Sequence, residues 1–259
     1  RAMVLTLPGQ SEIARALVAN GHTPDPLVIY RETQALLLLI SQHLQDITPR
    51  IYAEMAIDGP FSPDGPDASK RELGNCVLAY INRTDGGAMA QAQYDAATNM
   101  TQQIAALGML LRIGKGDAAS AAFFDQWQHE RLVMDKWFML QVTHSPPSKS
   151  VAIASALTAH SQFDWKTPNR FRAVLGGLAA APAGFHDPSG AGYQFYADWL
   201  LKLDPLNPQT AARMSTAFET WTRYDPARQA LLTAQMDRIL ATPDLSRDMT
   251  EMVTRMRGA

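Results

Sequence analysis

Along this chain a residue able to cap a helix repeatedly stands directly before a proline, as at Asp25-Pro26, Thr167-Pro168, Asn207-Pro208 and Asp225-Pro226. A proline at the first helical position loses no hydrogen bond, because the first amides of a helix have no internal partner. The side chain before it can accept from one of those free amides. After these starts the apolar residues recur every three or four positions. Tyr193, Tyr196, Leu200 and Leu203 step this way, as do Leu232, Met236 and Ile239.

The same grammar fills the rest of the chain. Ser11 is expected to cap SEIARALVAN, which Gly21 stops, and Asp25-Pro26 opens a long apolar helix to about Leu44. A third helix is expected from about Pro49 to Ala56. Asp58 to Asp67 holds three prolines and two glycines and reads as a loop, after which Asp67 is expected to cap ASKRELGNCVLAYIN. Asp117 is expected to cap AASAAFFDQWQHE. Strand signals are almost absent after Leu7. So many helices with short joints cannot share one small core. The expected fold is all-α: stacked antiparallel helix pairs forming a curved superhelical array of the HEAT or armadillo kind. No strict period is present, so the repeat is structural and degenerate.

Hydrophobic residues make up 46% of the 259, enough for a large core. A net charge of -2 argues against a nucleic-acid surface and against a polybasic membrane anchor. The longest purely apolar run, ALLLLI from Ala35 to Ile40, falls far short of the roughly 20 residues of a membrane span. It reads as a buried helix. The single cysteine, Cys76, can form no internal disulfide, which fits a reducing, cytoplasmic compartment. It lies in the apolar stretch NCVLAYI and reads as a small core residue. The opening RAMVLTLP reads as an extended tail, and the expectation is a piece of a longer protein.

Familiar catalytic patterns fail on inspection. His129-Glu130 begins an HExxH pattern, but the second ligand position is Val133, and one imidazole does not make the metal pair. His129 reads as a surface or capping residue, and no metal site is expected. GMLLRIGKG, Gly108 to Gly116, has five residues between its first two glycines where a phosphate loop has four, and Gly116 stands where Ser or Thr is required. No GxSxG elbow is present. FHDPSGAGY reads as a turn into a helix. The sequons at Asn82 and Asn99 carry little meaning without a secretory signal. No catalytic residue is expected. The helix around LVMDKWFMLQ has no clean polar side, so Trp137, Phe138, Met139 and Leu140 belong either to a docking face or to the interior.

Several segments, in order, resemble the C-terminal helical domain of bacterial aminopeptidase N. They are TNMTQQIAAL (98–107), LVMDKWFMLQ (132–141), PNRFR (168–172), FHDPSGAGYQF (185–195), LNPQTAARM (206–214) and RYDPARQ (223–229). VMDKWF and NPQ-x-x-x-R together are specific; each alone is weak. The chain departs from the family pattern at Thr167, at Pro188-Ser189 and in the proline-rich loop 58–67. The resemblance implies that residues 1–10 are the tail of a preceding β-sandwich and 11–259 the C-terminal helical domain. It further implies a parent enzyme that removes N-terminal residues from peptides with one zinc ion, held upstream of this chain. The helical domain would then cover the active site and confine access to short peptides. Its partners would be the upstream catalytic domain and those peptides. The alternative is a stand-alone helical scaffold for another protein, and the two separate on whether an HExxH lies upstream in the reading frame.

By the same resemblance Arg172 and Arg213, with Gln209 beside them, line the substrate chamber. Both arginines follow a proline-marked start by one to one and a half turns. A cation near a helix N-terminus is disfavoured by up to roughly 1 kcal/mol, so helix stability is no obvious reason for them. An arginine can bind a carboxylate through two parallel hydrogen bonds. From spacing alone, an ordinary salt bridge would serve equally.

Overall fold

In the computed structural model, which describes residues 2–258, every regular element is helical. The chain divides into two compact units: residues 1–8 with 31–137, and 9–30 with 138–259. The α-helices are α1 (Gln10–Ala19), α2 (Pro26–His43), α3 (Thr48–Glu54), α4 (Gly65–Ile81), α5 (Ala88–Ala96), α6 (Met100–Arg112), α7 (Asp117–Trp127) and α8 (Arg131–Thr143). There follow α9 (Ser150–Thr158), α10 (Pro168–Phe171), α11 (Gly177–Ala179), α12 (Pro182–Phe185), α13 (Ala191–Leu203), α14 (Pro208–Ser215), α15 (Pro226–Leu240) and α16 (Arg247–Arg257). Arg1 and Ala259, the first residue of the expected tail and the last of the expected helical domain, lie outside the described residues.

In the first unit α3 packs on α4, and α5 and α6 pack on each other and on α4. The core is mainly aliphatic, with Val77, Leu78, Leu107 and Leu110 fully enclosed, as is Phe123. A neutral amide hub crosses it. The Gln93 side chain accepts from Tyr52 Oη at 2.9 Å and donates to Asn75 Oδ1 at 2.9 Å and to the Gln102 carbonyl at 2.9 Å. Cys76 is half-buried and its thiol donates to the Ala2 carbonyl; burial pushes its pKa up, so it is a protonated packing group.

The second unit is built on aromatics. Phe185 meets Tyr193 and Tyr196 edge-on at 5.4 and 5.3 Å and stacks on Phe218 at 6.2 Å. Two glycines make this possible. Gly190 turns the chain into α13 with φ +71°, and a Cβ on Gly192 would stand 2.5 Å from the Phe185 carbonyl oxygen. The helical stepping expected for Tyr193 to Leu203 and for Leu232 to Ile239 is borne out, and all of these residues are buried.

Several expectations are corrected. Ala2–Leu5 forms a 3-10 turn rather than an extended tail. Helix α1 starts one residue before Ser11, since the Gly9 carbonyl accepts the first bonds, from Glu12 and Ile13. Asp67 lies inside the first turn of α4 and Asp64 takes the capping position, because Pro66 fits the first turn without losing a bond. Asp117 likewise is the first residue of α7 behind Gly116. Both acids still face the positive end of their helix. Asn99 and Ser246 are true caps, accepting from Gln102 and Met249 amides. At Asn207 and Asp225 the side chains accept as expected, whereas Thr167 donates to Asp164 instead.

Two apolar helices end in opposite settings. On α8, Met134, Trp137 and Phe138 are buried, and the Trp137 indole donates to the Ser120 carbonyl at 3.0 Å. The interior reading therefore holds for the two large aromatics, while the apolar Leu132 and Met139 stay exposed. On α2, by contrast, Leu36, Leu38 and Leu39 are exposed, so ALLLLI is not a buried helix within this chain. Its length alone already excluded a membrane span, and among the described residues no helix is long and apolar enough to cross one.

Candidate functional site

PNRFR carries two arginines with opposite fates. Arg170 is buried, donates to the Gln162 carbonyl and lies over the Phe138 ring at 4.7 Å. Arg172, two residues on, is exposed and begins a π-helical stretch, Arg172–Gly176, between α10 and α11. The wider turn separates Arg172 from Gly176, where a Cβ would meet nothing closer than 3.8 Å. With Ala179 and Ala180 this leaves a low wall of small residues.

Arg213 faces the same space from α14. That helix is only eight residues long, so Arg213 sits in its last turn rather than near its start. The positive end of the helix dipole therefore does not oppose it; a cation is favoured there. The expectation that both arginines sit against the dipole is corrected for this residue. Asn207 sets the helix by accepting from the Thr210 amide at 3.0 Å, and Thr216 closes it by donating to the Arg213 carbonyl at 2.7 Å.

The two arginines line one open cavity of about 600 Å³, together with Gly176, Ala179, Ala180, Tyr196, Met214, Thr216 and Ala217. Tyr196 donates to the Met214 carbonyl at 3.0 Å, fixing the floor. Gln209 is exposed and lies outside this cavity. It lines a neighbouring hollow of about 340 Å³ with Arg213, Thr216, Asp248, Glu251 and Arg255, so Arg213 and Thr216 form the shared rim. Tyr196, Thr216 and the α16 side chains were not singled out from the sequence, because no motif marks them. Neither Arg172 nor Arg213 has a hydrogen-bonded or ionic side-chain partner among the described residues. An unpaired guanidinium pair over a cavity of small residues is chemically a receptor for a carboxylate.

The neighbouring motif segments do the opposite. Arg228 of RYDPARQ is buried, donates from Nε to the His186 carbonyl at 2.8 Å and from Nη1 to Asp225 at 2.6 Å, and pairs with Asp25 at 3.3 Å. His186 of FHDPSGAGY sits between two hydroxyls, Tyr193 on Nδ1 and Tyr224 on Nε2, both at 2.9 Å. Burial, helped by the nearby Arg228 charge, lowers its pKa to about 3, so it is neutral. Burial likewise raises the Tyr193 and Tyr224 hydroxyls, so both stay protonated. These motifs hold the unit together, and His186, Arg223 and Tyr224 also border a hollow of about 190 Å³. His129 is exposed in the turn before α8, Gly108 lies within α6, and the Asn82 side chain is buried, donating to the Met109 carbonyl. Among the described residues no three His, Cys, Asp or Glu side chains converge as metal ligands.

Over residues 1–258 the chain matches the family described as "Domain of unknown function (DUF3458_C) ARM repeats". It belongs to that family. It is 36% identical to aminopeptidase N of Caulobacter vibrioides over 264 residues, an alignment covering 100% of this chain and 30% of the relative. It is 31% identical to aminopeptidase N of Escherichia coli, covering 98% of this chain and 29% of the relative. Among solved structures it is similar to a crystal structure of Legionella pneumophila aminopeptidase A in complex with aspartic acid. There the TM-score is 0.88 at 26% identity, covering 98% of this chain and 31% of that one. The chain thus spans about 30% of the length of the relatives it matches, and the matching region is their C-terminal part. The kinship expected from the motif series is borne out, and so is the all-helical repeat architecture.

Proposed function

We propose that this chain is the non-catalytic C-terminal domain of a zinc-dependent, cytoplasmic aminopeptidase, covering the active site and confining access to short peptides. In this reading the zinc is held by an upstream catalytic domain. The residues here do not fit a zinc site: His129 is exposed and Val133 stands at the second ligand position. Residues 1–10 would link to a preceding β-sandwich. One observation supports the reading most directly: Arg172 and Arg213, from separate motifs, meet at one cavity with their guanidinium groups unpaired.

A peptide whose N-terminus is being cleaved presents its carboxylate at the far end. Arg172 and Arg213 would bind that carboxylate by donating paired charged hydrogen bonds to it, each contributing roughly 1.5–3 kcal/mol. Gln209 would serve the adjoining hollow. The binding is remote from the reacting bond, so its loss acts chiefly on substrate affinity.

In the full-length enzyme, Arg172→Ala and Arg213→Ala should each raise KM for dipeptides and tripeptides with a free carboxylate by about ten-fold or more. Small chromogenic aminoacyl amides, which lack that carboxylate, should change little. Equal effects on both substrate classes, or none on either, would sink the assignment. The stand-alone scaffold reading would take over if the reading frame upstream holds no HExxH followed by a glutamate.

A further inference from the structure

The arginine cavity does not end at Thr216. Ala179, Thr216 and Ala217 also line the hollow of about 190 Å³, which is walled beyond them by Gln10 of α1, Thr220, Arg223, His186 and Tyr224. All of these residues belong to the second unit. Several polar groups of the hollow are already engaged. His186 Nε2 and Tyr224 Oη bond each other at 2.9 Å, and the Thr216 hydroxyl donates to the Arg213 carbonyl. Two are not. Gln10 Oε1 is buried without a hydrogen-bond partner, and the half-buried Arg223 guanidinium has none among the described residues. The nearby acids cannot serve Arg223, because Asp225 and Asp25 are held by Arg228 and by the first amides of α15 and α2. A buried acceptor and a half-buried cation left alone both cost stability, so each calls for a complement that this unit does not supply.

We infer that this hollow is a second seat for the C-terminal residue of a peptide, used by peptides too long to end at Arg172 and Arg213. Arg223 takes the carboxylate and Gln10 Oε1 accepts the N–H of the last residue. The inference rests on the function proposed above and extends its substrates in length. The chemistry selects the ligand: a guanidinium calls for an anion and an amide oxygen for an N–H donor. The last residue of a peptide carries both on one carbon. Helix α1 starts at this hollow with no side-chain cap, so the positive end of its dipole favours the same anion. The two hollows adjoin at Ala179, Thr216 and Ala217, and two of these three side chains are single methyl groups.

The test is a peptide-length series, from dipeptides to pentapeptides with free and amidated C-termini, on the full-length polypeptide. Arg223→Ala should raise KM for tetrapeptides and pentapeptides with a free carboxylate by about ten-fold or more. Dipeptides, tripeptides and amidated pentapeptides should stay within about two-fold of the parent, less than one hydrogen bond is worth. Gln10→Leu, which keeps the size and removes the acceptor, should give the same pattern at about five-fold. A rise shared by every length, or by the amidated peptides, shows that Arg223 acts through the fold and overturns the second seat. If KM is unmoved and only inhibition by free alanine is lost in Arg223→Ala, the hollow takes the released amino acid and the peptide seat is likewise overturned. No length dependence in an enzyme that keeps the dipeptide response of Arg172→Ala and Arg213→Ala sinks the second seat alone. Loss of that response as well sinks the carboxylate reading of the whole chamber.

Discussion

Arg228 and the pair Arg172 and Arg213 belong to the same compact unit and all come from the segments that carry the resemblance, yet their surroundings are opposite. Arg228 is buried among a carbonyl and two carboxylates; burial works to lower its pKa, but Asp225 and Asp25 outweigh that and raise it. Arg172 and Arg213 are exposed, unpaired and separated by a cavity walled with glycine, alanine and threonine. A guanidinium whose donors are used up within the chain holds structure. One whose donors are free over a hollow is available to a ligand. Stability and binding should therefore separate cleanly between the two sites.

The largest expected effect is on the structural side. Arg228→Ala leaves the His186 carbonyl without its donor and Asp225 and Asp25 without their cation. It should lower unfolding free energy by about 3 kcal/mol, read from the urea midpoint. Arg228→Lys should recover only part, since an ammonium cannot serve the carbonyl and the carboxylates with the same fork. A loss under about 1 kcal/mol for Arg228→Ala would erase the contrast with Arg172 and Arg213.

The same knot should respond to acid. His186 has a folded pKa of about 3 against about 6.5 when unfolded, so the unfolded chain takes up the proton first. The contribution to stability is complete above pH 6.5 and is lost progressively as pH falls from there toward 3. At pH 5 the loss is about 2 kcal/mol. Urea unfolding at pH 7.5 and pH 5 should show it, and His186→Gln should flatten the profile. An equally steep profile in the variant would assign the acid sensitivity elsewhere.

A smaller effect links the two sites. Asn207→Ala removes the cap of α14, the helix that carries both Gln209 and Arg213, and should cost about 1 kcal/mol. If the cap also positions Arg213, dipeptide KM in the full-length enzyme should rise while the chromogenic amide stays unchanged. Smallest of all, Arg172→Ala and Arg213→Ala should leave stability within about 0.5 kcal/mol of the parent. A thermal shift comparable to that of Arg228→Ala would show that they too are structural.

Much of this was legible in the residues. The proline-marked starts at Asp25, Thr167, Asn207 and Asp225 all open helices, because capping and proline geometry act over a few adjacent residues. The chain order of the motifs carried the family, and the choice of Arg172 and Arg213 brought two distant segments to one cavity. Where the reading missed, the deciding contact was distant or another local signal competed. Asn99 was read as a sequon rather than a cap, and Asp67 and Asp117 yielded the capping position to the residues before them.

The sequence by itself determined that the chain is helical, where the proline-marked helices begin, and that His129 lacks a ligand pair, since these depend on spacing along one segment. Only the tertiary structure decided which arginine is used and which is free. PNRFR does not reveal that Arg170 turns inward to Phe138 while Arg172 does not. Nor does apolar composition tell α8, whose Trp137 and Phe138 are enclosed, from α2, whose leucines are bare. The physical reason is that hydrophobic burial and ion pairing are settled by whatever surface arrives from far along the chain, and a periodic pattern states only which face is available.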